Sequence, residues 1–279
     1  MIRAALFLAL LATPAAAAER VVSLGGAVTE IVVALGQGDR LVARDATSTW
    51  PPGVEDLTDV GYMRSLSPEG VLSVAPDLIL AAEGAGPAEA VAMLRAARVP
   101  YVEVPEATDG AGVLEKIAVV AEALGVPDRG AALAEGLSAE LDRLEGLRAG
   151  VDRPARVLFV LSMQGGRLMA SGTGTAADGI IRLAGGTNVI AEFEGYRLLS
   201  DEAVLAASPE VVLMMERGGG HAVADDELLA HPALRTTPAG QARRLVRMDG
   251  LLLLGFGPRT AQAALALHRA LYPAPPSEG

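Results

Sequence analysis

The chain has no cysteine, which excludes disulfides, thiolate metal sites and a lipid-modified cysteine. Aromatic residues make up 3% of its 279 residues and there are three histidines, so each tyrosine, the one tryptophan and each histidine must be accounted for individually. Positive charge is scarce too. Lys and Arg number 23 against 34 Asp and Glu, a net charge of -11 that argues against nucleic acid and against adhesion to anionic lipid. No stretch reaches the roughly 18 to 20 uninterrupted apolar residues that span a bilayer. A Gly-x-Ser-x-Gly elbow, a His-Glu-x-x-His pair and a Gly-x-Gly-x-x-Gly turn after a strand are all missing. A hydrolase or nucleotide enzyme is therefore unsupported, and no residue is assigned a catalytic role.

What is present begins with Met1-Ile2-Arg3, the apolar run from Ala4 to Leu11 and Ala16-Ala17-Ala18 before Glu19. These are the basic, apolar and small-residue regions of a secretory signal peptide. Residues 1–18 are expected to be removed, leaving an exported periplasmic protein that starts at Glu19 and carries no lipid tether.

The remaining chain exceeds the usual single-core size, and it contains a diverged duplication. Gly61-Tyr62-Met63-Arg64-Ser65-Leu66-Ser67-Pro68-Glu69 returns, one residue shorter, as Gly195-Tyr196-Arg197-Leu198-Leu199-Ser200-Asp201-Glu202. The spacing is too long for a solenoid repeat and implies two similar lobes. Short apolar strands alternate with helices: Arg20 to Leu24 precedes a helix from Ala27 to Leu35, and Asp77 to Ala81 and Tyr101 to Val104 are further strands. The pattern restarts at Arg156 to Leu161, with helices at Thr175 to Leu183 and Thr260 to Leu271. The predicted class is α/β, with two Rossmann-like lobes built on mostly parallel sheets. The N-terminal lobe spans 19–126 and the C-terminal lobe 151–272, joined by one long helix in 127–150 and followed by a disordered tail, 273–279. Ligands of open α/β sheets gather at the carboxyl ends of strands, which places a cleft between the lobes.

Tyr62 and Arg64 are separated by one residue and point the same way in an extended loop. An anionic phenolate suits hard ferric iron, tyrosinate is an axial ligand of ferric haem, and a neighbouring guanidinium favours the ionised phenol. On these residues alone, a loop tyrosine bonded to backbone beside a solvated arginine fits as well.

The segments Arg20 to Ile31, Arg44 to Ser48, Asp59 to Arg64 and Leu253 to Thr260 closely resemble the periplasmic haem-binding proteins of bacterial haem uptake ABC transporters, a group within the helical-backbone class of substrate-binding proteins. The resemblance covers nearly the whole mature chain, and Gly-Tyr-Met-Arg is its specific part. It implies that Tyr62 is the axial ligand of haem iron, that Arg64 supports it, and that haem is cargo delivered to an inner-membrane ABC permease with its ATPase. The lobe pattern by itself equally fits a siderophore or corrinoid binder.

Glu69 and Glu202 hold matching places, each at the start of a helix where a carboxylate complements the helix dipole. The resemblance adds that one such glutamate per lobe docks against arginines of the permease. Tyr196 and Arg197 lack the intervening residue and are expected to point to opposite faces, with Tyr196 lining the pocket opposite Tyr62. No histidine stands near Ser162 to Arg167 to hold a second, stacked haem, and Met163 or Met169 is a weak thioether contact at most. His231 is expected in solvent, His268 at the surface or between lobes, and His221 in a flexible glycine-rich loop. Arg64, Arg167, Arg197, Arg217 and Arg259 are candidates for the haem propionates, because guanidinium grips carboxylates bidentately. A monomer is expected.

Overall fold

The computed structural model describes residues 18–216 and 223–273. Most of the expected signal peptide, the tail, Arg217 and His221 lie outside these. Five strands form the first sheet: Val21–Leu24 (β1), Leu41–Arg44 (β2), Thr58–Asp59 (β3), Leu78–Ala82 (β4) and Tyr101–Val104 (β5). Their order is β3-β2-β1-β4-β5, and every neighbouring pair is parallel. Gly26–Ala34 (α1), Pro68–Ser73 (α2) and Ala88–Ala96 (α3) supply the crossovers, and Gly110–Ala123 (α4) follows β5. Pro127–Ala149 (α5) then leads to the second lobe.

The second sheet comprises Arg156–Gln164 (β6), Arg167–Ser171 (β7), Thr187–Asn188 (β8), Tyr196–Leu198 (β9), Val211–Glu216 (β10) and Leu245–Asp249 (β11). It runs β11-β10-β6-β7-β9, with β8 alongside β6. Its helices are Ala176–Leu183 (α6), Asp201–Ala207 (α7), Asp225–Leu229 (α8), Pro238–Gln241 (α9), Gly250–Leu254 (α10) and Thr260–Leu271 (α11). This sheet is mixed, because β7 is antiparallel to both β6 and β9. The strand expected to stop at Leu161 continues to Gln164, where Gly165 and Gly166 turn the chain back at φ 55° and 76°. Two successive positive φ values are what a tight hairpin needs, and glycine adopts them without a Cβ clash.

Successive strand side chains point to opposite faces, and both sheets use the alternation in the same way. Val21, Leu78 and Leu80 from the first sheet and Val157, Phe159, Val211 and Leu213 from the second all enter one apolar cluster with α1, α4, α5, α6 and α11. Val22, Leu24, Ile79 and Ala81 point outward, under Val71 of α2 and Leu94 of α3. Leu158, Val160, Val212 and Met214 point outward beneath Val204 of α7 and Leu228 of α8. The lobes are thus joined by a shared core as well as by α5, whose own fully buried residues are Gly130, Leu137 and Leu144.

Phe159 has no exposed surface and its ring lies 6.4 Å, edge-on, from that of Tyr196. Phe159→Ala should lower unfolding stability by about 3–5 kcal/mol in urea titrations, the range for emptying a buried aromatic site.

Candidate functional site

The ends of β1, β2 and β4 meet the ends of β10 and β11 around a cleft of about 570 Å³, within the roughly 300–1,000 Å³ of small-molecule sites. Its first wall is Gly25, Gly26, Thr47, Tyr62, Met63 and Ala82; Met215, Glu216, Asp249, Leu251 and Leu254 form the opposite wall. Gly25 sits at φ 116°, and a Cβ there would stand 2.8 Å from that of Ala82. At Gly26 a Cβ would lie 2.5 Å from a Leu251 methyl carbon across the lobe boundary, so the absence of a side chain sets how closely the lobes approach. The loop is pinned by buried Asp45, whose Oδ1 accepts from the Gly25 N–H (2.9 Å) and the Ser48 hydroxyl (2.8 Å).

Tyr62 stands at the start of a turn rather than in an extended loop: the Ser65 N–H donates to its carbonyl at 2.8 Å. The turn is braced on both sides, by Ala46 N–H to the Gly61 carbonyl (2.9 Å) and Gly86 N–H to the Met63 carbonyl (2.9 Å). Met63 is buried beneath it, while Tyr62 is 49% exposed and Arg64 is also exposed. Both side chains are solvent-exposed, on a turn rather than on an extended segment. A braced loop that leaves a large aromatic ring half-exposed at a cleft wall does not use that ring to fill a core.

Tyr196 lies within β9, on the lobe opposite. Burial pushes its phenol above the ordinary value, opposed by hydrogen bonding to Thr175 and Ser171 and by the charge of Arg64. Tyr196 is 38% exposed, and the raised value keeps its phenol protonated at neutral pH. Arg197 stacks over the Phe193 ring at 5.0 Å. Arg167 is exposed at the β6–β7 hairpin, and Met163 packs against the second lobe's outer layer.

Arg259 is already engaged. Its Nε donates to Glu30 Oε2 at 3.0 Å, its Nη2 to Oε1, and its guanidinium covers the Trp50 ring at 4.5 Å. Glu30 belongs to α1, so the pair spans the lobes, with 5% of the glutamate side chain exposed. Burial raises the Glu30 carboxyl above the usual range against the pull of Arg259, and Asp249 raises it further. A second polar tie crosses the boundary nearby. Lys116 of α4, 1% exposed, donates to Glu106 Oε2 at 3.2 Å and to the Gly255 carbonyl of the other lobe at 3.3 Å. Neither tie was foreseen, yet Lys116 is the chain's single lysine, a signal that counting residue types exposes.

Glu69 and Glu202 occupy equivalent exposed positions on the two lobes. Ser67 and Ser200 cap the two helices, accepting from the N–H of Gly70 (3.3 Å) and Ala203 (3.2 Å). Each glutamate is held below the ordinary carboxylate range by its own backbone N–H and then by the capping serine hydroxyl. His231 departs from expectation: it is 5% exposed, its Nε2 lies 2.9 Å from the Gly166 carbonyl, and its Nδ1 accepts from the Ala233 N–H. The hairpin that the sequence reading lacked supplies that carbonyl and covers the ring. His268 is partly buried, with Nδ1 3.0 Å from the Ala184 carbonyl. Among the described residues no group of three or more His, Asp or Glu side chains is placed to hold a metal ion, and no helix is long and apolar enough to cross a membrane.

The profile of the family described as periplasmic binding proteins matches residues 21–251, which include Tyr62 and most of the cleft wall. The chain belongs to this family. Like its relatives, this periplasmic binding protein is a transport component rather than an enzyme. It is similar to the periplasmic heme-binding protein BhuT in complex with two hemes, at 43% identity and a TM-score of 0.86 over 90% of this chain and 97% of that one. The apo periplasmic heme-binding protein RhuT from Roseiflexus sp. RS-1 gives 41% identity and a TM-score of 0.87 over 91% and 98%. A vitamin B12-binding protein of Yersinia pestis (strain Pestoides F) is 31% identical over 76% of this chain and 74% of its own length.

The Glu30–Arg259 pair is testable in this binding protein. Glu30→Ala strands a partly buried guanidinium and should cost roughly 2–4 kcal/mol, somewhat under the figure for a fully buried pair because Arg259 touches solvent. The double variant Glu30→Leu/Arg259→Leu should recover most of it. Because the folded-state carboxyl is raised, Glu30 stabilises the fold below its ordinary range and loses that contribution as pH rises through the raised value. Wild-type stability should therefore fall relative to Glu30→Gln over that rise, as read by denaturant melts at a series of pH values.

Proposed function

We propose that this protein captures ferric haem in the interlobe cleft, with the Tyr62 phenolate on the iron and Arg64 beside it, and hands the haem to an inner-membrane ABC permease. The observation that carries the reading is Tyr62 itself, a half-exposed phenol on a doubly braced turn at the cleft wall, with a guanidinium two residues on. Iron(III) is a hard acid that favours an anionic oxygen, and a nearby cation favours that anion. Similarity to proteins described as heme-binding, at 43% and 41% identity over nine-tenths of the chain, supports the same ligand. Tyr196, its phenol raised above the ordinary value on the facing lobe, offers a neutral hydroxyl instead of a second phenolate. Arg64 is exposed beside Tyr62 and available to the ligand from this side, whereas Arg259 is taken up by Glu30 and Trp50.

The similarity to vitamin B12-binding proteins supports a second reading, in which a corrinoid occupies the same cleft. A phenolate poised for ferric iron has no evident task there. Export to the periplasm belongs to the same proposal, as does docking through Glu69 and Glu202. One exposed carboxylate per lobe, set on equally capped helices, offers a two-point acidic contact to basic groups on a permease dimer. Their lowered pKa values keep both charged as pH drops below the ordinary glutamate range.

An absorption titration with hemin should give saturable binding and a high-spin tyrosinate spectrum in the wild type. Tyr62→Ala should lose the charge-transfer band and bind at least tenfold more weakly; an unchanged variant spectrum discards Tyr62 as ligand. Saturable binding of cyanocobalamin with none of hemin would select the corrinoid reading. The double variant Glu69→Ala/Glu202→Ala should bind hemin like wild type yet stimulate permease ATPase activity poorly in proteoliposomes. Equal stimulation would remove these acids from the docking surface.

A further inference from the structure

Lys116 is a buried cation that the proposed iron site does not use. Among the described residues it is the single cation lining the cleft, where its acidic neighbours are Glu106, Glu216 and Asp249. Its side chain is 2% exposed, and its two contacts are long for an ammonium donor, 3.2 Å to Glu106 Oε2 and 3.3 Å to the Gly255 carbonyl. An ammonium group has three N–H donors, and two are accounted for. A desolvated cation with spare donor capacity is costly until an anion or strong acceptor completes it.

The partners differ in how freely they can leave. Gly255 O is backbone at the end of α10. Glu106 lies in the loop before α4, and its side chain is 50% exposed, so rotating its carboxylate into water costs little. Asp249 is committed elsewhere, its Oδ1 accepting the Leu252 N–H at 2.8 Å. Glu216 is exposed at the end of β10.

The geometry points to Lys116 as a carboxylate-binding residue at the inner end of the cleft: a carboxylate of the bound ligand replaces that of Glu106 on the Lys116 ammonium. This rests on the haem reading, in which the ligand carries two propionates. The exchange conserves charge at Lys116, one carboxylate leaving for solvent as another arrives. It also retains the Gly255 tie, so the ligand contacts a residue bonded to both lobes. A ligand whose carboxylates are masked gains nothing from it. Glu106 acts as an internal competitor, which distinguishes this role from one in which Lys116 merely holds the fold.

The test compares hemin with hemin dimethyl ester, in which both propionates are esterified, by fluorescence-quenching titration. Lys116→Met should weaken hemin binding about tenfold, the scale of one charge-assisted hydrogen bond, and leave the ester unchanged. Glu106→Ala should tighten hemin binding about two- to fivefold by removing the competitor, again without effect on the ester. Thermal melts establish that the variants are folded, and Glu106→Ala, altered at an exposed side chain, carries the test if Lys116→Met does not fold. Equal losses for both ligands in Lys116→Met, no change for either, or weaker hemin binding by Glu106→Ala would overturn the assignment while leaving haem binding intact. A wild-type protein that binds no hemin would overturn the haem reading and this inference with it.

Discussion

The shared apolar core between the two sheets is the constraint on which the site depends. Val21 and Leu80 from one sheet and Val157, Phe159 and Leu213 from the other point into the same cluster. Neither lobe can shift without opening voids, since interiors are packed at crystal-like density. Burial at this seam holds the ends of β1 and β4 opposite those of β10 and β11 and so defines the width of the cleft. Modest closure around a ligand is the motion such a seam permits, because a packed core resists continuous deformation.

Polar groups at the boundary add orientation to that packing. Hydrophobic contact is non-directional, whereas the Glu30–Arg259 fork and the Lys116 contacts with Glu106 and Gly255 are satisfied in one relative placement of the lobes. The raised Glu30 carboxyl indicates that burial outweighs the attraction of Arg259. This tie is therefore better understood as specifying arrangement than as a source of net stability. The same geometry divides the arginines by task, with Arg259 occupied at the seam and Arg64 exposed beside Tyr62.

Duplication explains why the two surfaces match. Ser67-Pro68-Glu69 and Ser200-Asp201-Glu202 build the same device, a serine cap followed by an acid at the second helical position, and both glutamates emerge exposed with lowered pKa values for the same reasons. The tyrosines diverged from this symmetry. Tyr62 lies on a turn and Tyr196 in strand β9, and that difference leaves one as the candidate iron ligand and the other as a neutral hydroxyl on the facing lobe.

Strand and helix alternation, the class of fold, the capped helices with Glu69 and Glu202, and the Tyr62-x-Arg64 pair were legible in the sequence, because each rests on local spacing or local hydrogen bonding. The Gly165-Gly166 turn is a local signal, but the antiparallel β7 and β9 it produces and the buried environment of His231 depend on which strands and loops the fold brings beside it. The Glu30–Arg259 fork joins residues at opposite ends of the chain, and Lys116 meets Gly255 from the other lobe; no local pattern encodes such pairings. The sequence by itself determined which segments become strands and helices and which residues carry unusual chemistry, since these follow from side-chain periodicity and residue type. The tertiary structure alone decided which cations are spent on the seam and which face the cleft, because a charge's partners and desolvation depend on groups that only folding brings within reach.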